Sequence, residues 1–262
     1  MAEKSASREV LSSTEDYVCT ITLNRPEKRN ALNASVIALL SRELRRVAKD
    51  PSVRVVVIRA NGPAFCAGMD LAEMAAQREA GEADLGGLEQ ILEDLESCPQ
   101  PTIAAVQGDA VAGGCELALY CDIRVASDAA RFGMPLARIG LAVPVTLTWK
   151  LLDVIGSAKT AELLFTGEAI AAEAARSLGM VNRVVPPEEL DSTVLGLARQ
   201  ITQNAPLSVR TMKAFIQRGM ALRKTVSRDD LEEMHRVVRQ SADLQEGLAA
   251  RRERRAPKFR GE

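Results

Sequence analysis

A mixed α/β fold is predicted, with a strand-rich N-terminal core followed by a C-terminal region built only of helices. Three patterns carry this expectation. Short β-branched runs recur, several of them set off by proline, glycine or asparagine. Helical patterns fall between them, a βα alternation that favours stacked sheet with surrounding helices. From Pro187 onward the strands stop and helical patterns follow one another to the charged tail.

The elements follow in order. Tyr17–Leu23 alternates β-branched and polar residues, as a half-buried strand does. Asn24 to Asn30 breaks it with a proline and a charge cluster. Ala34–Lys49 carries Val36, Ile37, Leu40, Leu44 and Val47 on one helical stripe, with Asn33 placed to cap it. Val53–Arg59 lies between Asp50-Pro51 and Asn61-Gly62-Pro63 and reads as a central strand. Thr102–Val106, Ile123–Ala126 and Val181–Val185 are further strands. The helices expected after them are Pro187–Gln203, Pro206–Met220, Arg228–Gln240 and Ala242–Glu253. The chain therefore divides into a core, residues 1–186, and a helical region, residues 187–262, expected to cover the site and make subunit contacts.

Composition narrows the function classes. At 47% hydrophobic and 26% charged residues, the 262-residue chain has an ordinary globular balance and is not disordered. Lys+Arg number 34 against 35 Asp+Glu, so no global basic field exists to hold nucleic acid, and the 3% of aromatic residues gives few stacking platforms. No apolar run approaches the roughly 20 residues that cross a bilayer. The five cysteines (Cys19, Cys66, Cys98, Cys115, Cys121) form no CxxC pair, and His235 is the one histidine. Neither a disulfide scaffold nor a metal site is expected. His235 sits in an amphipathic helical pattern and reads as structural or surface. Met1 to Ser13 is polar and lacks an apolar signal region, so a reduced, cytoplasmic location is the expectation.

Two glycine turns stand out. Phe65-Cys66-Ala67-Gly68-Met69-Asp70-Leu71 follows the Val53–Arg59 strand, and Gly108 to Leu117 follows Thr102–Val106. Each leads from a strand through glycine into a helix, whose start exposes unpaired N–H groups and partial positive charge. Two such turns on neighbouring strands are able to aim one N–H each at a single developing oxyanion. Plain turn chemistry explains either turn alone, and neither has the GxGxxG spacing of a dinucleotide site.

Together with Asn24-Arg25-Pro26-Glu27-Lys28-Arg29-Asn30-Ala31-Leu32, these turns and Gly113-Gly114-Cys115-Glu116-Leu117-Ala118 resemble the crotonase superfamily, the enoyl-CoA hydratase/isomerase enzymes. The likeness covers nearly the whole chain: Leu178 to Val185 resembles the family's late strand, and Glu246-Gly247-Leu248 onward its terminal helix. It implies a crotonase-like spiral of ββα units in two near-perpendicular sheets, with helices at the C-terminus, assembled as a homotrimer or homohexamer. The implied substrate is an acyl-CoA, with coenzyme A part of the substrate and no separate cofactor. The implied thioester-oxygen donors are the backbone N–H groups of Met69 and Gly113. The implied CoA contacts are Arg25, Lys28, Ala31, Ala67, Gly68, Asp70 and Leu71, with Leu136 on the pocket wall and Arg254 near the 3′-phosphate. A solvated helix end explains the Arg251 to Arg255 charge run equally well.

Two departures bear on the reaction. Glu116 matches the family's first catalytic glutamate, but the second position, after Pro135, is Leu136. The next loop, Leu141 to Thr148, lacks the family's glycines. The resemblance therefore implies an acyl-CoA enzyme with Glu116 as the one retained acid/base. Decarboxylation, thioester hydrolysis and non-catalytic acyl-CoA binding are alternatives, since Leu136 moves no proton. Arg138 is a candidate partner for a substrate carboxylate, with a surface ion pair the simpler reading, and Asp109 is unusual in its loop. Cys66 and Cys115 flank the turns, where packing is the reading because no histidine is nearby to make a thiolate. Tyr120, Met134 and Phe165 are candidate acyl-pocket residues with core packing as the default, and Trp149 and Leu151-Leu152 read as core or interface.

Overall fold

A computed structural model describes residues 9–80, 87–220 and 229–261. The expectation for the N-terminus falls in part on residues 1–8, and that for the Arg228–Gln240 helix includes Arg228; these lie outside the described residues.

The main sheet has six strands in the order β1-β2-β3-β4-β6-β9. These are β1 (Val10–Glu15), β2 (Val18–Leu23), β3 (Val55–Ala60), β4 (Thr102–Val106), β6 (Ile123–Ser127) and β9 (Arg183–Val185). β1 and β2 are antiparallel, and every later neighbour is parallel. Parallel neighbours need crossovers, supplied here by α1 (Ala34–Ala48), α2 (Leu71–Glu79), α3 (Leu88–Ser97), α4 (Gly113–Tyr120) and the segment from residue 128 to 182. That segment includes α5 (Val145–Thr166) and α6 (Ala172–Ser177). A second sheet, in the order β5-β7-β8, is formed by β5 (Ala110–Val111), β7 (Arg131–Gly133) and β8 (Ile170–Ala171).

Both faces of the main sheet are covered, which is why its central strands read as unbroken apolar runs. Val56, Ile58, Ala104 and Val106 point into the larger core, with Leu40, Leu44, Ile91, Leu95 and Leu117. Val55, Val57, Ile103 and Ala105 point the other way, onto Leu190, Val194 and Ala198 of α7 (Leu190–Thr202). The period-two alternation along β3 and β4 thus serves two cores.

Three further helices complete the chain: α8 (Pro206–Met220), α9 (Asp229–Gln240) and α10 (Ala242–Glu253). α8 is pinned to the sheet by Lys213, whose buried ammonium donates to the Gln100 carbonyl and to Asp122 Oδ2 at 2.9 and 2.7 Å. The outer face of α8 leaves Leu207, Phe215 and Ile216 exposed. Among the described residues, no helix is long and apolar enough to cross a membrane.

The predicted elements fall close to the observed ones. Asn33 caps α1, its side chain accepting from Val36 N at 2.8 Å, an arrangement worth about 1 kcal/mol. β1 is the main omission. Its residues after Val10 are exposed and, from Ser12 on, polar, and the strand exists because Asp16 and Tyr17 both take positive φ, as a two-residue type I′ hairpin requires.

Candidate active site

The two glycine turns meet. Cys66 bridges to Ala110, and Leu32 bridges to Met69. Gly68 has φ of +88°, and a Cβ there would lie 2.9 Å from Ala112 Cβ and 3.0 Å from Gly113 N. Only glycine allows the first turn to lie so tightly against the start of α4. Gly114 is under the same constraint, since its Cβ would lie 2.1 Å from the Cys66 carbonyl oxygen. Between them, Ala112 holds φ +50° and ψ −123°, conformationally costly for a residue with a Cβ. Its N–H is anchored to the Gly133 carbonyl at 2.9 Å.

This geometry leaves two donors unused. Among the described residues, neither the Met69 N–H nor the Gly113 N–H has a hydrogen-bond acceptor. Gly113 opens α4, where a missing preceding turn leaves the N–H without a helical partner. The far end of α4 is closed by Arg124, a buried guanidinium that donates to the Ala118, Leu119 and Cys121 carbonyls. Two adjacent donors at a helix start are able to share one anionic oxygen.

Glu116 lies on the first turn of α4, 3% exposed, and its Oε2 has no hydrogen-bond partner. Burial, with a smaller contribution from the nearby Glu89 charge, pushes its carboxyl up to about 7. A carboxylic acid poised there is able to give or take a proton near neutrality. Cys66 and Cys115, both buried, are pushed up to about 12 by desolvation, so they remain thiols and pack.

The turns open onto a cavity of about 710 Å³. Met69, Gly113, Glu116, Ala67, Leu71, Leu136 and Arg254 all line it. Arg25, Lys28, Ala31, Gly68 and Asp70 do not line it. Arg25 is instead a strut: its guanidinium reaches Glu9 at 3.0 Å, the Ala31 carbonyl at 2.7 Å and Asp70 at 3.3 Å. Arg138 lines the cavity and makes no ion pair among the described residues; Nε and Nη2 both donate to the Thr166 carbonyl, at 3.0 and 2.8 Å. Asp109 lies apart from the cavity, paired with Arg29. Of the candidate acyl-pocket residues, Met134 is fully buried in the core, as is nearly all of Tyr120. Phe165 is 81% exposed, so neither packing nor pocket lining describes it.

Some lining residues do not stand out in the sequence. Glu89 and Arg239 are ordinary charged helix residues until the fold places them on the cavity. His235 proves to be both structural and a wall residue: its Nε2 lies 3.2 Å from the Ala142 carbonyl and its ring lines the cavity. The signal for Glu89 is faint, a carboxylate in the first turn of a helix that follows Gly86-Gly87.

Comparison with known proteins identifies the family. The sequence pattern of the enoyl-CoA hydratase/isomerase family matches residues 13–262. The chain is 33% identical to the 2,3-dehydroadipyl-CoA hydratase of Escherichia coli K12, over 97% of this chain and 99% of that one. It is 37% identical to the short-chain-enoyl-CoA hydratase of Clostridium acetobutylicum, over 80% of this chain and 82% of the other. Among solved structures, a methylmalonyl-CoA decarboxylase complexed with 2S-carboxypropyl CoA superposes with a TM-score of 0.89 at 30% identity, covering 97% of this chain and 98% of that one.

Proposed function

The chain belongs to the enoyl-CoA hydratase/isomerase family of the crotonase superfamily, and from that premise we infer that it stabilises a thioester enolate between the Met69 and Gly113 N–H groups. Glu116 moves the proton at the adjacent carbon. One observation carries the reading: two unused backbone donors and a buried, unpartnered carboxyl face one cavity. Electron density withdrawn from an enoyl double bond collects on the thioester oxygen, where each donor lowers the barrier by about 2.7–4 kcal/mol. Proton transfer by Glu116 contributes a further factor of about 10²–10⁴.

Coenzyme A enters as part of the substrate, and the reading includes no separate cofactor. Arg254 at the cavity edge is the candidate 3′-phosphate contact, and Arg25 braces the Ala31 carbonyl and the Asp70 carboxylate rather than reaching the nucleotide. The exposed Leu207, Phe215 and Ile216 on α8 support assembly into a homotrimer or homohexamer. Five unpaired, buried cysteines suit the reducing cytoplasm.

The test is the enoyl-thioester absorbance of crotonyl-CoA with wild type, Glu116→Gln and Leu136→Glu. Turnover by wild type and loss of about 100-fold or more in Glu116→Gln is the expected result. Wild-type activity that survives Glu116→Gln removes the reading.

Leu136 and Arg138 favour a second reading, decarboxylation of an acyl-CoA that carries its own carboxylate. That reaction needs the enolate donors but no water. Arg138 Nη1 has no acceptor among the described residues and is left to meet a substrate carboxylate. A methylmalonyl-CoA decarboxylase among the structural relatives supports the same direction. Release of CO2 from malonyl-CoA, lost in Arg138→Met, is its signature.

A further inference from the structure

Adding water to an enoyl thioester needs two proton transfers, one from the attacking water and one to Cα. Two groups share such work best when their surroundings push their proton affinities apart. Glu116 is one such group, and the cavity holds a second carboxylate. Glu89 lies in the first turn of α3 and lines the same cavity. The start of α3 stands over the start of α4, because a Cβ on Gly113 would lie 3.0 Å from Leu88 Cδ2. Glu89 is thus carried above the helix turn that carries Glu116, near enough for its charge to act on Glu116.

The two environments are opposite. Glu116 is buried, with Oε2 unpartnered. Glu89 is exposed at the mouth, in the first turn of its helix. Leu136, which lines the same cavity, offers no proton group.

We propose that Glu89 is the second catalytic carboxylate of this site, the base that faces Glu116 as the acid. The proposal rests on the enolate reading above and deepens it. In hydration, Glu89 takes a proton from water as the water oxygen bonds to Cβ. The double-bond electrons move toward the thioester, whose oxygen gains charge between the Met69 and Gly113 N–H groups. As the enolate electrons return, Glu116 gives its proton to Cα. One water has then been added across the double bond, Glu89 has gained a proton and Glu116 has lost one. Exchange with solvent through the open mouth restores both.

Wild type, Glu89→Gln, Glu89→Asp, Glu116→Gln and the double Gln variant are compared in two assays. The first is hydration of crotonyl-CoA. The second is deuterium incorporation at Cα of butyryl-CoA, which needs the enolate but no water attack. Butyryl-CoA affinity is measured by calorimetry on each protein. The expected result is a fall in hydration kcat of about 100-fold or more in Glu89→Gln, with butyryl-CoA affinity within about threefold of wild type and partial recovery in Glu89→Asp. The double variant should fall little below the worse single variant, because groups that act as a unit are not additive. A Glu89→Gln enzyme within about threefold of wild-type kcat overturns the proposal and leaves the role of Glu116 standing. A wild type that exchanges Cα hydrogen yet adds no water also overturns it, with the enolate reading intact. A wild type silent in both assays overturns both.

Discussion

Removing the ionisable group of Glu116 should change how stability depends on pH. Its Oε2 is buried without a partner, and folding raises the carboxyl from the ordinary 4.5 to about 7, chiefly by desolvation and then by the Glu89 charge. Between those two values the native chain binds more protons than the unfolded chain at this position, so stability falls as pH rises through the window. Each unit corresponds to about 1.36 kcal/mol, which makes the full loss roughly 3 kcal/mol above the folded value. Glu116→Gln has no charge to bury and escapes this loss. Urea unfolding of both proteins near pH 4 and near pH 8.5, at one protein concentration, isolates the effect, because all other carboxylates titrate alike in the pair. Any fixed cost of burying the Gln amide appears equally at both pH values. The Gln variant should therefore gain roughly 3 kcal/mol on wild type between the two conditions. A stability difference that stays flat with pH refutes the claim that Glu116 is buried in this way. Glu89→Gln supplies a second arm: without that charge, the window should narrow from its upper end.

Further outcomes follow from contacts already described. Gly68→Ala forces a Cβ to 2.9 Å from Ala112 Cβ at a φ of +88°, so the turns must part; turnover should fall about 100-fold, with acyl-CoA still bound, as steady-state kinetics and calorimetry would show. Lys213→Met leaves the Gln100 carbonyl without its ammonium donor and Asp122 held by Thr102 alone, and should cost about 2 kcal/mol by urea unfolding; a loss below about 0.5 kcal/mol would mean that α8 docks without this contact. Arg124→Met removes the guanidinium donor from the Leu119 and Cys121 carbonyls at the end of α4 and should cost about 3 kcal/mol, with a matching drop in thermal midpoint. Phe215→Asp on α8 should shift the light-scattering mass toward the monomer while circular dichroism stays unchanged; an unaltered assembly would place the interface elsewhere.

Much of the fold is legible because its strands are short, β-branched and punctuated, and because the α1 stripe with its Asn33 cap is a local pattern. What escapes the sequence is set by pairing rather than propensity. β1 is polar beyond Leu11 and is held by its hairpin partner. β5, β7 and β8 are two or three residues long, too short for any period to show. The same division runs through the candidate site. The two glycine turns adjoining helix starts are readable as a feature of consecutive residues, and the family resemblance is what singles out Met69, Gly113 and Glu116 within them. Glu89 and His235 reach the cavity only because α3 stands over α4 and because α9 lies against the Ala142 loop. Phe165, which looks like core in sequence, ends up 81% exposed near the end of α5.

The two halves of the candidate chemistry therefore depend on the fold in different ways. The donors for the thioester oxygen are backbone groups, and side chains influence them only by permitting or forbidding the contact between Gly68 and the start of α4. That contact is enforced at several points: glycine at 68 and 114, the positive φ of Ala112 and the Gly133 anchor. Losing any one of them moves a donor, so this part of the site tolerates little change. Proton transfer, by contrast, needs only a carboxyl of suitable affinity within reach of Cα or the attacking water. Any element that lines the cavity is able to supply one. With Leu136 on the wall beside Arg138, and Glu89 on α3 at the mouth, the proposed chemistry joins a rigid set of donors to a proton-moving half that is open to a different arrangement. That is why substitutions at Leu136 and Glu89, rather than at the glycine turns, are the ones that separate hydration from decarboxylation.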